Sequence, residues 1–440
     1  MLKKLVARPN EVLDIRTEII AGITTFLASM YIIVVNPSIL SHAGMPFNAV
    51  LTATVLVSAF SSIAMGIYAK NPILLAPGMG LNAFFTYSVV LGMHVSYQVA
   101  LGAVFWSGVI FILLSVFNVR TAIVKAIPQQ IRFAIAGGIG LFISLIGFEN
   151  ARFIVSNKAT ILSFATLNVI TATFAVGLLI TAILVARRVR GALIFGIVII
   201  TLLAVPIGRL YGDATPFYGQ ATLVDWKGIF ARPDFSLFLK LDFIHSLELS
   251  IWPVIFVFLF ADMFDSLSTF IGVAEAGNLI DEEGEPLNIK ESLIVDACST
   301  AISGLFGTSS GTSYIESATG IEEGGRTGLT AIVAGLLFLP FIFFAPILSV
   351  IPALATAPAL VLVGVFMMQP VTKINWLKYD DAIPAFLAMI LIPFTYSITQ
   401  GLIWGFLSWT VIKFFTGKRN EISPMLWVID VFSILALLLK

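Results

Sequence analysis

The stretch Pro253–Gly272, PVIFVFLFADMFDSLSTFIG, decides how this chain is read. It is long enough to cross a bilayer, for which about 20 apolar residues suffice. Yet it carries two carboxylates, Asp262 and Asp265, near its middle. An ionised carboxylate at the centre of a membrane helix costs roughly 2.5 kcal/mol or more. Three residues is close to one helical turn, so both side chains point the same way, with Ser266 and Thr269 on or beside that face. A second anomaly follows at Gly307–Gly320, GTSSGTSYIESATG, with Glu316 inside it. Together the two stretches predict a transport site, with the remaining chain exposing it alternately to either side of a membrane.

Composition agrees with a polytopic membrane protein. The chain of 440 residues is 58% hydrophobic and 11% charged, with a mean hydropathy of +1.01; soluble domains lie nearer 25% charged. Net charge is zero, which gives no footprint for a nucleic-acid partner. The single cysteine, Cys298, cannot close an internal disulfide. The N-terminal Lys3, Lys4 and Arg8 precede an apolar run that starts only at Ile19, so the first span reads as a transmembrane helix and not as a removed signal peptide.

Apolar runs mark six spans at Thr17–Leu40, Phe47–Ala69, Gln98–Phe117, Phe133–Phe148, Asn168–Ala186 and Ala192–Leu210, with a Gly/Pro-rich run, Ile73–Leu91, between the second and third. A polar stretch, Tyr211–Ser246, follows. Seven more segments come after it: Glu248–Val273, Leu293–Phe306, Gly307–Gly320, Leu329–Val350, Ala353–Met368, Ile383–Ile398 and Gly401–Phe415. Ile422–Leu439 is interrupted by Pro424 and Asp430 and is read as an interfacial helix, the alternative being a fifteenth span. The expected fold is therefore all-α and polytopic, with 14 transmembrane segments. Placing the N-terminus in the cytoplasm leaves six of the 25 Lys and Arg outside (Arg152, Lys158, Arg209, Lys227, Arg232 and Lys240). The other 19 lie inside, as the positive-inside rule requires, which puts both termini in the cytoplasm.

Seven crossings per half, an odd number, would make the halves inverted repeats: residues 1–210, an extracellular linker at 211–247, residues 248–416, and the interfacial helix at 417–440. Local similarities support this. Ile127-Pro128 is followed twelve residues after the proline by Gly140, and Ile351-Pro352 likewise by Gly364. The third segment of each half contains the odd, glycine-bearing motif: APGMGLNAFF (Ala76–Phe85) and GTSYIESATG (Gly311–Gly320), with Asn82 corresponding roughly to Glu316. Paired interrupted segments in matching positions point to a transporter's binding site. Segments 3 and 10 are expected to be extended backbone leading into half-helices whose N-termini face a cavity, because irregular backbone at membrane depth must be buried in protein or line a cavity.

Other polar residues read more plainly. Glu149, Glu275, Glu291 and Asp296 fall near segment ends and are expected to be solvated. His42, His94 and His245 fall in presumed external loops or segment ends. Residues 281–285 read as an acidic cytoplasmic turn. No Walker-type loop, zinc-ligand spacing or nucleophile elbow is present, so neither ATP drive nor enzymatic chemistry has a signal, and no cofactor or metal is implied.

The motifs carry a family resemblance over nearly the whole chain. Asn36-Pro37, APGMGLNAFF, FADMFDS, GTSSGTSYIESATG and GGRTGLTA (Gly324–Ala331), in this order, resemble the purine-permease (AzgA-like) branch of the nucleobase:cation symporter family, the adenine or guanine/hypoxanthine permeases. Leu267-Ser268 departs from the pattern, which has small residues or a glycine before the Thr. The resemblance implies the uracil-permease fold, with a core domain against a gate domain, often as a homodimer in the cell membrane. It also implies proton-coupled uptake of purine nucleobases. Carried residue by residue, Asp262, Glu316 and Asn82 would contact the base, with Ala83 and Ser317 beside them, and Asp265 would serve proton coupling.

The residues suit that chemistry independently. Guanine presents N1–H and an N2 amino group side by side, so one ionised Glu can accept both. Hypoxanthine offers N1–H alone, and adenine, an acceptor at N1, needs a protonated carboxyl. A neutral base carries no charge to drive its accumulation, so a coupled ion is required. The competing class is an anion carrier of the related sulfate-transporter type; the helix termini favour it, but Glu316 and the two Asp repel an anion. A channel or purely structural role leaves three buried carboxylates unexplained.

Overall fold

The computed structural model of the chain describes residues 2–8, 11, 13–117, 127–219, 221–280 and 286–438. Among them, seven helical stretches are long and apolar enough to cross a membrane: Ile15–Ser41, Phe47–Ala69, Tyr97–Val116, Gln129–Asn150, Val169–Ala186, Trp252–Gly277 and Ala353–Lys373. The helices Ile289–Phe306, Tyr379–Thr395 and Ile398–Phe415 complete the helical frame, with shorter apolar helices at Met79–Gly92, Ala192–Ala204 and Gly328–Phe343. The acidic turn at 281–285 lies outside the described residues.

The helices sort into two bundles, each drawing on both halves of the sequence. In one, Ile289–Phe306 packs on Tyr97–Val116, and Gly328–Phe338 packs on both Ile15–Ser29 and Phe47–Ala64. In the other, Gln129–Asn150 packs on Ala353–Met367 and on Tyr379–Thr395, which packs on Ile398–Phe415. Close approach in the second bundle rests on two glycines. A Cβ on Gly140 would lie 2.7 Å from the Gly364 carbonyl oxygen, and one on Gly364 would lie 2.4 Å from that of Gly140. These are the two glycines that the sequence comparison of the halves had matched.

The GGRTGLTA motif works in packing and capping. Glu18, buried in the first span, accepts hydrogen bonds from Arg326 N (2.9 Å) and Thr327 N (3.0 Å) at one oxygen and from Thr330 Oγ1 (2.5 Å) at the other. It thereby satisfies orphan donors at the start of the Gly328–Phe338 helix. At the same place Gly328 lies so close to Gly66 that a Cβ on either would strike the other's backbone.

Several segments differ from their reading in the sequence. The first span is two helices, Ile15–Ser29 and Ile32–Ser41, joined at Met30 and Tyr31. A short hairpin, Ile154–Asn157 with Ile161–Phe164, stands where hydropathy shows only a connection. Asp296 is corrected: expected near a solvated end, it is fully buried. The helix begins at Ile289, four residues before the apolar run, so Asp296 sits inside it and not at its edge. The described part of the polar 211–247 stretch spans both bundles: Tyr218 donates its hydroxyl to Asn150 O (2.7 Å) at the second, and Leu239 N to Leu305 O (2.8 Å) and Asp242 N to Gln98 O (2.9 Å) tie it to helix ends of the first. Ile422–Leu439 forms the helix Pro424–Leu438, packed on Ile398–Phe415, and it buries Asp430.

Candidate functional site

The two interrupted segments meet as strands. Leu75–Pro77 pairs antiparallel with Gly311–Ser313, in the register Leu75 with Ser313, Ala76 with Thr312 and Pro77 with Gly311. The pairing extends through Gly78 N to Ser310 O (2.9 Å) and Tyr314 N to Leu74 O (2.9 Å). The reason is accounting: away from water each backbone N–H and C=O needs a partner, and two short extended pieces supply one another. Each strand leads into helix. Met79–Ala83 continues to Gly92 with wider, π-type turns, and Ser317–Glu322 is a single short helix.

Side chains lock this crossing in place. Asn36, fully buried, donates to Thr54 Oγ1 (2.7 Å) and Thr308 Oγ1 (2.8 Å), which ties the first span to the Gly307–Gly320 run. Tyr314 donates its hydroxyl to Pro77 O (2.6 Å). The Ser317 hydroxyl accepts from Leu74 N (3.0 Å), and the Ser309 hydroxyl donates to Asn82 Oδ1.

A cavity of about 700 Å³ lies between the bundles, within the range of ligand sites. One wall comes from Tyr31, Gly78–Gly80, the face of Trp252–Gly277 that carries Asp265 and Thr269, and Thr312–Glu316. The opposite wall comes from residues between Gln129 and Ile139 and between Val363 and Lys373. Exposed Gln129, Gln369, Lys373 and Glu275 line it at one end, with Arg132 beside them.

The residues singled out in the sequence separate into two groups around this space. Asp265 and Glu316 line the cavity. Glu316 is held by Tyr31, whose hydroxyl donates to Oε1 at 2.7 Å, leaving the second carboxylate oxygen for another donor. Asp262, fully buried, stands behind the wall; its Oδ2 accepts from the hydroxyls of Thr300 and Ser310, the latter at 2.9 Å. Thr300 can also donate to Gly311 O (3.0 Å), so this hydroxyl chain can serve either an ionised or a protonated Asp262. Asn82, Ala83 and Ser317 are buried in the strand crossing and hold it together in this conformation. The departure at Leu267-Ser268 falls on the cavity wall.

Tyr31 was missed in the sequence. The signal for it existed: a Tyr inside an apolar span needs an acceptor for its hydroxyl, and Glu316 is that acceptor. Arg132 was also missed as a cavity residue, because it stands where the fifth apolar run begins and reads there as a solvated end.

Comparison with known proteins agrees with this architecture. The family described as Permease family (Xan_ur_permease) matches residues 16–403. The chain is 40% identical over 423 residues to the adenine permease AdeP of Escherichia coli (strain K12), covering 96% of this chain and 92% of that one. It is 38% identical over 430 residues to the guanine/hypoxanthine permease PbuO of Bacillus subtilis (strain 168), covering 96% of both. In fold it resembles the transmembrane domain of the cyanobacterial bicarbonate transporter BicA, with a TM-score of 0.65 at 14% identity, covering 89% of this chain and 98% of that one. The chain therefore belongs to the Permease family, on its purine-permease branch, and is a multi-pass membrane transporter.

Proposed function

We propose that the protein takes up purine nucleobases by proton symport with alternating access, guanine and hypoxanthine before adenine. Both named relatives described above are nucleobase permeases. The observation that carries the reading is Glu316: a carboxylate on the cavity wall, fixed at one oxygen by Tyr31, with the other left to accept a base N–H. Guanine fits that acceptor with N1–H and its amino group, and hypoxanthine with N1–H. Asp262, behind the wall, supports recognition through the Thr300 and Ser310 hydroxyls it holds, and Asn82, Ala83 and Ser317 shape the crossing against which the base rests. Asp265, on the same wall, serves proton coupling. An anion carrier is disfavoured, because Asp265 and Glu316 both face the cavity and repel an anion.

The topology proposed with this function has fourteen segments in two inverted repeats, 1–210 and 248–416. The linker 211–247 lies outside, segments 3 and 10 are half-helices, 417–440 is an interfacial helix, and both termini face the cytoplasm of a cell membrane. The cavity then opens inward. A homodimer is part of the proposal. Uptake of radiolabelled hypoxanthine, guanine, adenine, uracil and sulfate into proteoliposomes, with and without an imposed pH gradient, tests the function. Purine accumulation that follows the pH gradient is expected, and sulfate uptake without purine uptake would overturn the reading.

A further inference from the structure

Asp296 is a carboxylate that neither the fold nor the proposed recognition uses. It is fully buried on the Ile289–Phe306 helix, and among the described residues neither of its oxygens has a hydrogen-bond partner. That helix packs against Tyr97–Val116, Phe47–Ala64, Met65–Ala69, Trp252–Gly277 and both strands of the crossing. Asp262 and Asp265 are the charged groups close enough to act on Asp296, and the Ser266 hydroxyl and the Ser313 backbone N–H beside it fall short of hydrogen-bond geometry. Tyr68, Tyr97 and Glu275, the other titratable groups on those elements, lie at helix ends, and those elements contribute no Lys or Arg among the described residues. An isolated ion here carries a desolvation penalty that no cation among the described residues offsets, and Asp262 and Asp265 add repulsion of the same sign.

The contrast among the three acids is what assigns the role. Asp262 has the Thr300 and Ser310 hydroxyls at Oδ2, a chain that can serve the ionised acid, although its Oδ1 is bare. Asp265 lines the cavity, where water can solvate it. Asp296 has neither compensation, so a bound cation is what neutralises it. We infer that Asp296 holds the coupled proton while the site is closed, having received it from Asp265 at the cavity wall. In that transfer one O–H bond breaks at Asp265 and one forms at Asp296. The negative charge passes from the dry interior to the cavity wall, where solvation lowers its cost. The inference rests on the proposed proton symport of purines and adds to it the site where the proton resides.

The test is paired transport and binding in proteoliposomes containing the full chain. Wild-type protein is expected to concentrate hypoxanthine when a pH gradient is imposed. In D296N, equilibrium binding and substrate-on-both-sides exchange should stay within a few-fold, the accumulation ratio should fall to unity, and uptake should lose its dependence on pH; D296E should restore part of the accumulation. Gradient-driven accumulation by D296N would overturn the inference. So would a wild-type protein that concentrates purine on a sodium gradient alone, an outcome that leaves purine transport intact. Absence of any purine binding by wild type would instead sink the proposed function. Infrared spectroscopy with carbon-13 aspartate does not depend on an Asp296 variant folding. In D262N/D265N/D430N protein, where the one buried aspartate left besides Asp296 among the described residues is Asp381, ion-paired with Lys413, a protonated aspartic carboxyl band should persist, and its absence would also overturn the inference.

Discussion

Gly140 and Gly364 pack backbone to backbone, and each occupies the space that a side chain on the other would need. The contact joins Gln129–Asn150 to Ala353–Met367, one helix from each half of the sequence, in the bundle that forms the far wall of the cavity. Gly364→Val adds a branched side chain where even a Cβ would also lie 2.0 Å from Ser144 Oγ. Overpacking of this kind costs roughly 1–3 kcal/mol. Thermal unfolding of the purified protein in detergent should show a lowered midpoint for Gly364→Val, and an unchanged midpoint would mean that the helices part without cost.

Recognition is expected to centre on Glu316. Glu316→Gln offers a donor where the base needs an acceptor, and loss of a charge-assisted hydrogen bond costs roughly 1.5–3 kcal/mol, about ten- to a hundredfold in affinity. Tyr31→Phe removes only the clamp on Oε1 and should cost less. Equilibrium binding of hypoxanthine and guanine checks both. Wild-type affinity in a well-expressed Glu316→Gln protein would remove Glu316 from the site.

Asp262 and Asp265 should divide binding from coupling. Asp265→Asn mimics the protonated acid; it should keep purine binding and lose accumulation driven by a pH gradient. Asp262→Asn should weaken binding itself, because the Thr300 and Ser310 hydroxyls then meet an amide in place of a carboxylate. Binding and proton-driven uptake measured on both variants check the division. If Asp265→Asn still concentrates purine, Asp265 does not couple.

Glu18 predicts a stability effect remote from the cavity. Glu18→Ala leaves Arg326 N and Thr327 N without their acceptor at a buried helix start and takes from the Thr330 hydroxyl its shorter bond, with the Glu18 carbonyl at 3.4 Å remaining. Each unsatisfied buried group costs roughly 1–3 kcal/mol. The variant should unfold at a clearly lower temperature, while any protein that remains folded binds purine with ordinary affinity.

Topology can be checked directly. A reporter fused after Lys440 should be cytoplasmic if fourteen segments cross; a reporter on the outside would favour fifteen.

Much of this was legible because membrane burial exaggerates polar signals. Asp262, Asp265 and Glu316 stand out wherever their neighbours are apolar, and the Gly/Pro interruptions marked the strand crossing before its pairing was seen. The matching positions of Gly140 and Gly364 were visible in the sequence, although their mutual contact was not. Asp296 was misread for a definite reason. Hydropathy starts the segment at Leu293, whereas the helix starts at Ile289, and the polar first turn with Lys290 and Glu291 hides its depth. Glu18 was passed over for a different reason, since its partners come from a loop some three hundred residues away, beyond the reach of any local pattern.

The pairing of Leu75–Pro77 with Gly311–Ser313 also sets an order on how the protein is made. When the ribosome has finished the first strand, its partner does not yet exist. At roughly 5–20 residues per second, more than ten seconds of synthesis separate the two. Throughout that interval the backbone of the first strand needs surrogate hydrogen-bond partners in the translocon, in an insertion chaperone or in water held within the nascent bundle. A nascent chain arrested before Gly311 should therefore be a substrate for membrane quality control even though several of its spans are already inserted.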